Sequence, residues 1–128
     1  MKAYKLYNTD TGSSAFEEGT IKEHQRILSS YFFFEHNAPD KRSFDWHPAP
    51  RKQYVITLKG SLEFTVSDGS SFIINPGDIL IATDIEGLGH KWRMLSEESW
   101  LRMYVALEEG EDDGFVINSN SASTIQTI

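Results

Sequence analysis

Apolar and polar residues alternate with a period of two through the middle of the chain. In the segment SLEFTV, Leu62, Phe64 and Val66 fall on one side and polar residues fall between them, which is typical of a strand with one buried face. Other short apolar or alternating runs, separated by glycine, proline and other turn residues, predict further strands. These runs are Tyr31–His36, Gln53–Leu58, Ser71–Asn75, Ile79–Thr83, Gly89–Leu95 and Ser99–Leu107.

Repeated short strands predict an all-β fold, either a sandwich or a barrel. No stretch keeps a helical period. The segment Glu17–Leu28 offers a short helical turn at best, because Gly19 and nearby β-branched residues disfavour a helix.

The chain changes character after Leu107, where an acidic segment, EEGEDDG, is followed by polar residues of low complexity. We therefore expect one domain over residues 1–107. Residues 108–128 are expected to form a solvated, loosely held tail. A short strand pairing at Phe115–Ile117 is the alternative.

Composition narrows the class of protein. The 128 residues suit one core. Without cysteine, a metal must be held by histidine, amide or carboxylate. The net charge of −7 argues against nucleic acid as a partner. No stretch resembles a signal peptide or a membrane span, so we expect a cytoplasmic protein without a membrane partner.

The segment HPAPRKQYVITLKG, residues 47–60, has the spacing of the first cupin motif, H-x-H-x(3)-E-x(6)-G. His47 takes the first histidine position, and Gly60 takes the glycine. Ala49 stands at the second histidine position and Gln53 at the glutamate.

The segment PGDILIATDIEGLGHKW follows the second motif, G-x(5)-P-x-G-x(2)-H-x(3)-N, with departures. Gly77 opens it, and Thr83 stands at the proline position. Two extra residues precede Gly87, after which His90 restores the histidine. Met94 replaces the asparagine.

The chain thus resembles the cupin superfamily, and in particular small RmlC-like cupins, from the N-terminus to about Leu107. The resemblance implies a double-stranded β-helix, the jelly-roll barrel. The family's metal set of three histidines and a glutamate implies a reduced set here, namely His47, Gln53 and His90. An amide brings no charge, so a divalent metal of unknown identity would be weakly held. No organic cofactor is expected.

The same resemblance implies that His47, Gln53 and His90 converge at the mouth of the barrel, with Trp46 and Trp92 as apolar walls. Two interpretations stay open. One is a weak metal site with an open coordination position. The other is a metal-free pocket whose polar groups hydrogen-bond a ligand.

Two classes of function also stay open, because cupin barrels carry many activities. The first is an enzyme of isomerase, dioxygenase or lyase type that acts on a sugar acid or keto acid. The second is a non-catalytic module that binds or senses a small molecule without metal. The sequence assigns no catalytic residue.

Several charged residues near the motifs have two interpretations. Asp84 and Glu86 lie in the loop before His90 and are expected to be exposed acids, with a role as ligand or general base as the alternative. Arg51 and Lys52 form a solvated turn or attract an acidic ligand.

Three polar residues lie at the strand positions between inward-facing apolar residues, so we expect them to face outward. They are Arg102, Tyr104 and Glu63. The aromatic run Tyr31–Phe34 places rings on both faces of one strand. One face needs cover, either from the N-terminal segment or from a second subunit. We expect the second, and hence a homodimer.

Overall fold

The computed structural model describes residues 1–38 and 40–118, which contain eleven β-strands and no α-helix. The strands are β1 (Lys2–Asn8), β2 (Ser14–Ile21), β3 (Phe32–His36), β4 (Ser43–His47), β5 (Gln53–Lys59), β6 (Leu62–Val66), β7 (Ser71–Ile74), β8 (Ile79–Ala82), β9 (His90–Met94), β10 (Leu101–Ala106) and β11 (Phe115–Ile117). Within this part of the chain, no helix is long and apolar enough to cross a membrane.

The strands form two sheets. The larger has the order β11-β2-β1-β8-β5-β10-β3, and the smaller has the order β4-β9-β6-β7. Strands β1 and β8 are parallel, and the other neighbouring strands are antiparallel. Apolar side chains of both sheets share one core. The predicted all-β fold, a jelly-roll barrel, is confirmed.

The core confirms the alternation that the sequence predicted for β6. Leu62, Phe64 and Val66 are 0–2% exposed, and burying each such side chain contributes about 1.5–3 kcal/mol. Across the barrel, the rings of Tyr4 and Phe72 stack with their centroids 4.5 Å apart. The two sheets therefore pack face to face through aromatic and branched side chains.

The larger sheet is also covered on its outer face. Leu80 and Ala82 of β8 belong to the inner core, whereas Ile79 and Ile81 belong to a second apolar cluster outside it. Burial on both faces explains why β8 is a continuous apolar run and does not alternate.

Part of the predicted tail is ordered against the sheet. Strand β11 pairs with β2, and Phe115 lies opposite Ile21. Glycine at position 19 allows β11 to pair with β2 this closely, because a Cβ there would lie 2.1 Å from the carbonyl oxygen of Val116. The ammonium of Lys5 lies 2.7 Å from the Asp113 carboxylate. The prediction for residues 119–128 lies outside the described residues.

Candidate functional site

A cavity of about 430 Å³ opens between the two sheets, a size suited to a small metabolite. Four of the five residues that the sequence assigned to a pocket lie on its wall, namely His47, Gln53, His90 and Trp92. Their function as a ligand pocket stays a prediction.

The fifth residue, Trp46, lies elsewhere, with the Lys91 ammonium 4.7 Å from its ring centroid. Neighbouring residues of a strand point to opposite faces, so Trp46 and His47 diverge. A bulge between Phe44 and His47 inserts one extra residue into β4. Phe44 therefore lines the cavity beside His47, with ring centroids 4.4 Å apart.

The two histidines meet where β4 ends and β9 begins. His47 lies opposite His90 in the sheet, and the ring centroids are 4.6 Å apart. Gly89 makes this approach possible, because a Cβ there would lie 2.0 Å from the His47 carbonyl oxygen. Its φ of +81° also disfavours any other residue.

His90 is held by a buried carboxylate. Asp84 Oδ2 lies 2.7 Å from His90 Nδ1 and accepts a hydrogen bond of 2.7 Å from Ser14 Oγ. A carboxylate only accepts hydrogen bonds, so Nδ1 carries the proton in the neutral imidazole, and Nε2 then keeps its lone pair. Asp84 Oδ1 is buried without a hydrogen-bond partner in the described chain.

The burial of Asp84 corrects the sequence interpretation, which expected exposed acids in this loop. Glu86 is exposed, as expected, but Asp84 is 0% exposed. Asp84 is buried because its carboxylate accepts hydrogen bonds from Ser14 and His90, two buried polar residues on strands β2 and β9.

His47 has a similarly fixed ring. Its Nδ1 donates a hydrogen bond of 2.7 Å to the backbone carbonyl of Asp45, which leaves Nε2 unprotonated. Burial lowers the pKa of His47, and the nearby His90 lowers it further, although the Asp45 carbonyl opposes the change. Near neutral pH His47 is therefore an uncharged hydrogen-bond acceptor.

The amide of Gln53 is engaged by a cation. Arg51 donates a hydrogen bond of 2.6 Å from its guanidinium to Gln53 Oε1. The guanidinium also lies 5.6 Å from the Phe33 ring centroid and 5.9 Å from that of Tyr31. Both arginine and glutamine line the cavity.

This donor set does not fit a divalent metal ion. Two imidazole nitrogens are suitable ligands, but the third donor, Gln53 Oε1, already accepts from a positively charged group. No group of three histidine, cysteine, aspartate or glutamate side chains that could hold a metal occurs in residues 1–38 and 40–118. The metal site predicted at His47, Gln53 and His90 stays a prediction, and metal analysis of the purified protein can test it.

A second polar cluster lies on β10. Arg102 donates hydrogen bonds to Tyr104 Oη (3.1 Å) and to the Trp100 carbonyl (3.1 Å), and it pairs with Glu35 at 3.0 Å. Its guanidinium is 4.0 Å from the Trp100 ring centroid. Burial raises the pKa of the Tyr104 hydroxyl, although the Arg102 charge opposes this.

Arg102 and Tyr104 were expected to face outward, and that prediction is wrong. Both line the cavity, and Arg102 is only 6% exposed. The apolar residues of β10, such as Val105, pack instead against the outer cluster of the larger sheet. Glu63 is partly exposed and pairs with Arg93 on the smaller sheet.

No family model and no curated protein matches the chain. The solved structures that are similar to it include the following two. A cupin-2 domain containing protein from Shewanella frigidimarina NCIMB 400 is 17% identical, with a TM-score of 0.45 over 70% of this chain and 84% of that one. A structure described as ethanolamine utilization protein Q, from Salmonella typhimurium LT2, is 14% identical, with a TM-score of 0.41 over 84% of this chain and 95% of that one.

Proposed function

We propose that the barrel binds a small polar metabolite, such as a sugar acid or keto acid, in the cavity between the sheets. The observation that carries this proposal is the pairing of aromatic walls with a few fixed polar groups around about 430 Å³ of space. Pockets for small ligands have this composition. The Nε2 atom of the uncharged His47 is an acceptor for a hydroxyl group of a ligand, and the His90 ring lies beside it.

A thermal-shift screen of sugar acids, keto acids and neutral sugars tests this proposal. At least one compound should raise the melting temperature of the wild type, and His47→Gln should lose most of that shift. His36→Gln is the matched control, because His36 is exposed and bonds Ser99 outside the cavity. A screen without any shift, or equal shifts in His47→Gln and the wild type, would contradict the proposal.

Metal-dependent binding is the alternative, and the same screen addresses it. Since the donor set does not fit a divalent ion, protein treated with a chelator should keep its ligand-induced shift. Loss of the shift on chelation, with recovery on adding one divalent metal, would support the metal site of His47, Gln53 and His90.

A second candidate function is proton transfer on the bound metabolite, as in an isomerase. The contact between Asp84 and His90 favours it, because a carboxylate that fixes the imidazole tautomer leaves Nε2 as a proton acceptor. Incubation of the ligand in D₂O, followed by NMR, should show exchange of a proton next to its carbonyl group. Exchange at the same rate with His90→Gln would exclude this role.

We also propose that the protein is a homodimer formed through β3. Phe33 faces the cavity, whereas Phe32 and Phe34 are 62% and 59% exposed at the edge of the larger sheet. The N-terminal segment does not cover them, because Tyr4 and Leu6 pack in the inner core. Light scattering should give twice the mass of one chain, and Phe32→Glu with Phe34→Glu should halve it.

A further inference from the structure

We propose that the Arg51 guanidinium is the cationic centre of this pocket and binds a carboxylate of the ligand, in the role that a metal ion would otherwise have beside Gln53. This inference rests on the proposed function, because it names the charge that the bound metabolite carries.

Arg51 is positioned at the cavity without being neutralised. Its side chain is held by the hydrogen bond to Gln53 Oε1 and lies near the rings of Tyr31 and Phe33. A guanidinium has five N–H donors, and this geometry uses one of them. Within residues 1–38 and 40–118, no carboxylate forms an ion pair with Arg51.

The other ionisable groups of the cavity do not supply a comparable charge. Arg102 is paired with Glu35 and also bonds Trp100 and Tyr104. His90 is paired with the buried Asp84 carboxylate, and His47 Nδ1 is bonded to the Asp45 carbonyl. The Arg51 charge is therefore the one for which the described cavity provides no acidic partner.

Gln53 is the right neighbour for such a role. The amide oxygen orients the guanidinium but brings no negative charge, so the positive charge remains available to a ligand. A glutamate here would form a charge-assisted, bidentate pair with Arg51 and would compete with any incoming carboxylate. The amide at the glutamate position of the motif is thus explained by the neighbouring arginine.

The chemistry of the ligand follows from the shape of the guanidinium. A planar fork of N–H donors matches the two oxygens of a carboxylate, and the aromatic rings beside it hold the guanidinium by cation–π attraction. The probes are gluconate and pyruvate, which carry this group, and their neutral counterparts glucose and methyl pyruvate. Isothermal titration calorimetry measures binding of each to the full chain.

The central variants are Arg51→Gln and Gln53→Glu, with Lys52→Gln as the control. Lys52 is the exposed neighbour, so its substitution removes the same unit of charge outside the cavity. Both central variants should weaken binding of the acidic probe about tenfold or more, and Lys52→Gln should change it less than about twofold. Circular dichroism and the melting temperature establish that each variant is folded.

The metal content of Gln53→Glu gives a second, independent readout. Because the new carboxylate pairs with Arg51, the metal content of this variant, measured by mass spectrometry, should stay at the wild-type level. A clear rise in metal content, together with undiminished binding of the acidic probe, would overturn the inference.

The role of Arg51 and the proposed binding of a metabolite in the cavity can be refuted separately. If the wild type binds glucose or methyl pyruvate as tightly as the acids, or if Arg51→Gln binds the acids equally well, the role of Arg51 is refuted while the pocket stands. If the wild type binds none of the four probes at about 10 mM, both proposals fail.

Discussion

Two acid–base pairs face the same cavity, and they differ in how far water reaches them. At the histidine end, the side chains of His90 and Asp84 are 6% and 0% exposed. At the arginine end, the side chain of Arg102 is 7% exposed but that of Glu35 is 53% exposed. One pair is enclosed on both sides, and the other has a carboxylate that can turn into solvent.

This difference decides what each pair can do. His90 and Asp84 are both shielded from solvent, so water cannot take the place of either hydrogen-bond partner. Each side chain therefore fixes the position of the other. His90 is thereby held in one orientation and one tautomer, which suits a group that recognises or acts on a ligand. Glu35 has water as an alternative partner, so the arginine end is the more adaptable wall of the cavity.

The largest effect should come from breaking the enclosed pair. His90→Leu leaves Asp84 buried with only Ser14 as a hydrogen-bond donor, and an uncompensated buried charge costs about 3–5 kcal/mol. Urea denaturation should show a loss of that size in the free energy of unfolding.

Two further variants make this test decisive. Asp84→Asn should recover part of the loss when it is added to His90→Leu, because a buried amide costs less than a charge. His36→Leu, at an exposed histidine, should cost far less than His90→Leu. A loss in His90→Leu no larger than in His36→Leu would remove the distinction between the two ends.

A smaller effect is expected at the arginine end from Arg102→Met. The substitution keeps an apolar stem against Trp100, and Glu35 can be solvated when its partner is lost. The cost should be about 1–3 kcal/mol, mainly because the Trp100 carbonyl loses its donor. A loss as large as that of His90→Leu would show that both ends are equally rigid.

Alternation and turn residues predicted most of the barrel. Each of the seven strands predicted from Tyr31 onward lies within two residues of its predicted bounds. Local sequence carries this information because side chains alternate between a buried and a solvated face. Strand β4 was missed, because Pro48 and Pro50 follow it closely and proline is disfavoured in the middle of a sheet.

The site was less predictable because its contacts are distant along the chain. Ser14 lies 70 positions from Asp84, so nothing near Asp84 indicates that it is buried. The position of Arg102 depends on a second apolar layer outside the larger sheet, which attracts the apolar residues of β10. The bulge that brings Phe44 beside His47 in the cavity is likewise a property of strand pairing.

Mild acid should affect the histidine end through His47. Its pKa is lowered in the folded protein, so the unfolded chain binds a proton at a pH where the folded protein does not. The stability that depends on a neutral His47 is fully present above the pKa of His47 in the unfolded chain, near 6.5. It is lost as the pH falls through the lower pKa of His47 in the folded protein. His47→Gln should reduce the decline in unfolding free energy between about pH 7 and about pH 5. An unchanged decline, equal to that of His36→Gln, would assign the acid sensitivity elsewhere.

The smallest effect should follow Glu35→Gln, which removes the exposed half of the arginine pair. The carboxylate is about half exposed, so water and salt already screen its attraction to Arg102. We expect a loss below about 1 kcal/mol in the free energy of unfolding, and we expect it to shrink further as salt is added. Arg102 stays satisfied, because Tyr104 and the Trp100 carbonyl still accept from it. A loss above that of Arg102→Met, independent of salt, would mean that Glu35 is as enclosed as Asp84, and the comparison between the two ends would fail.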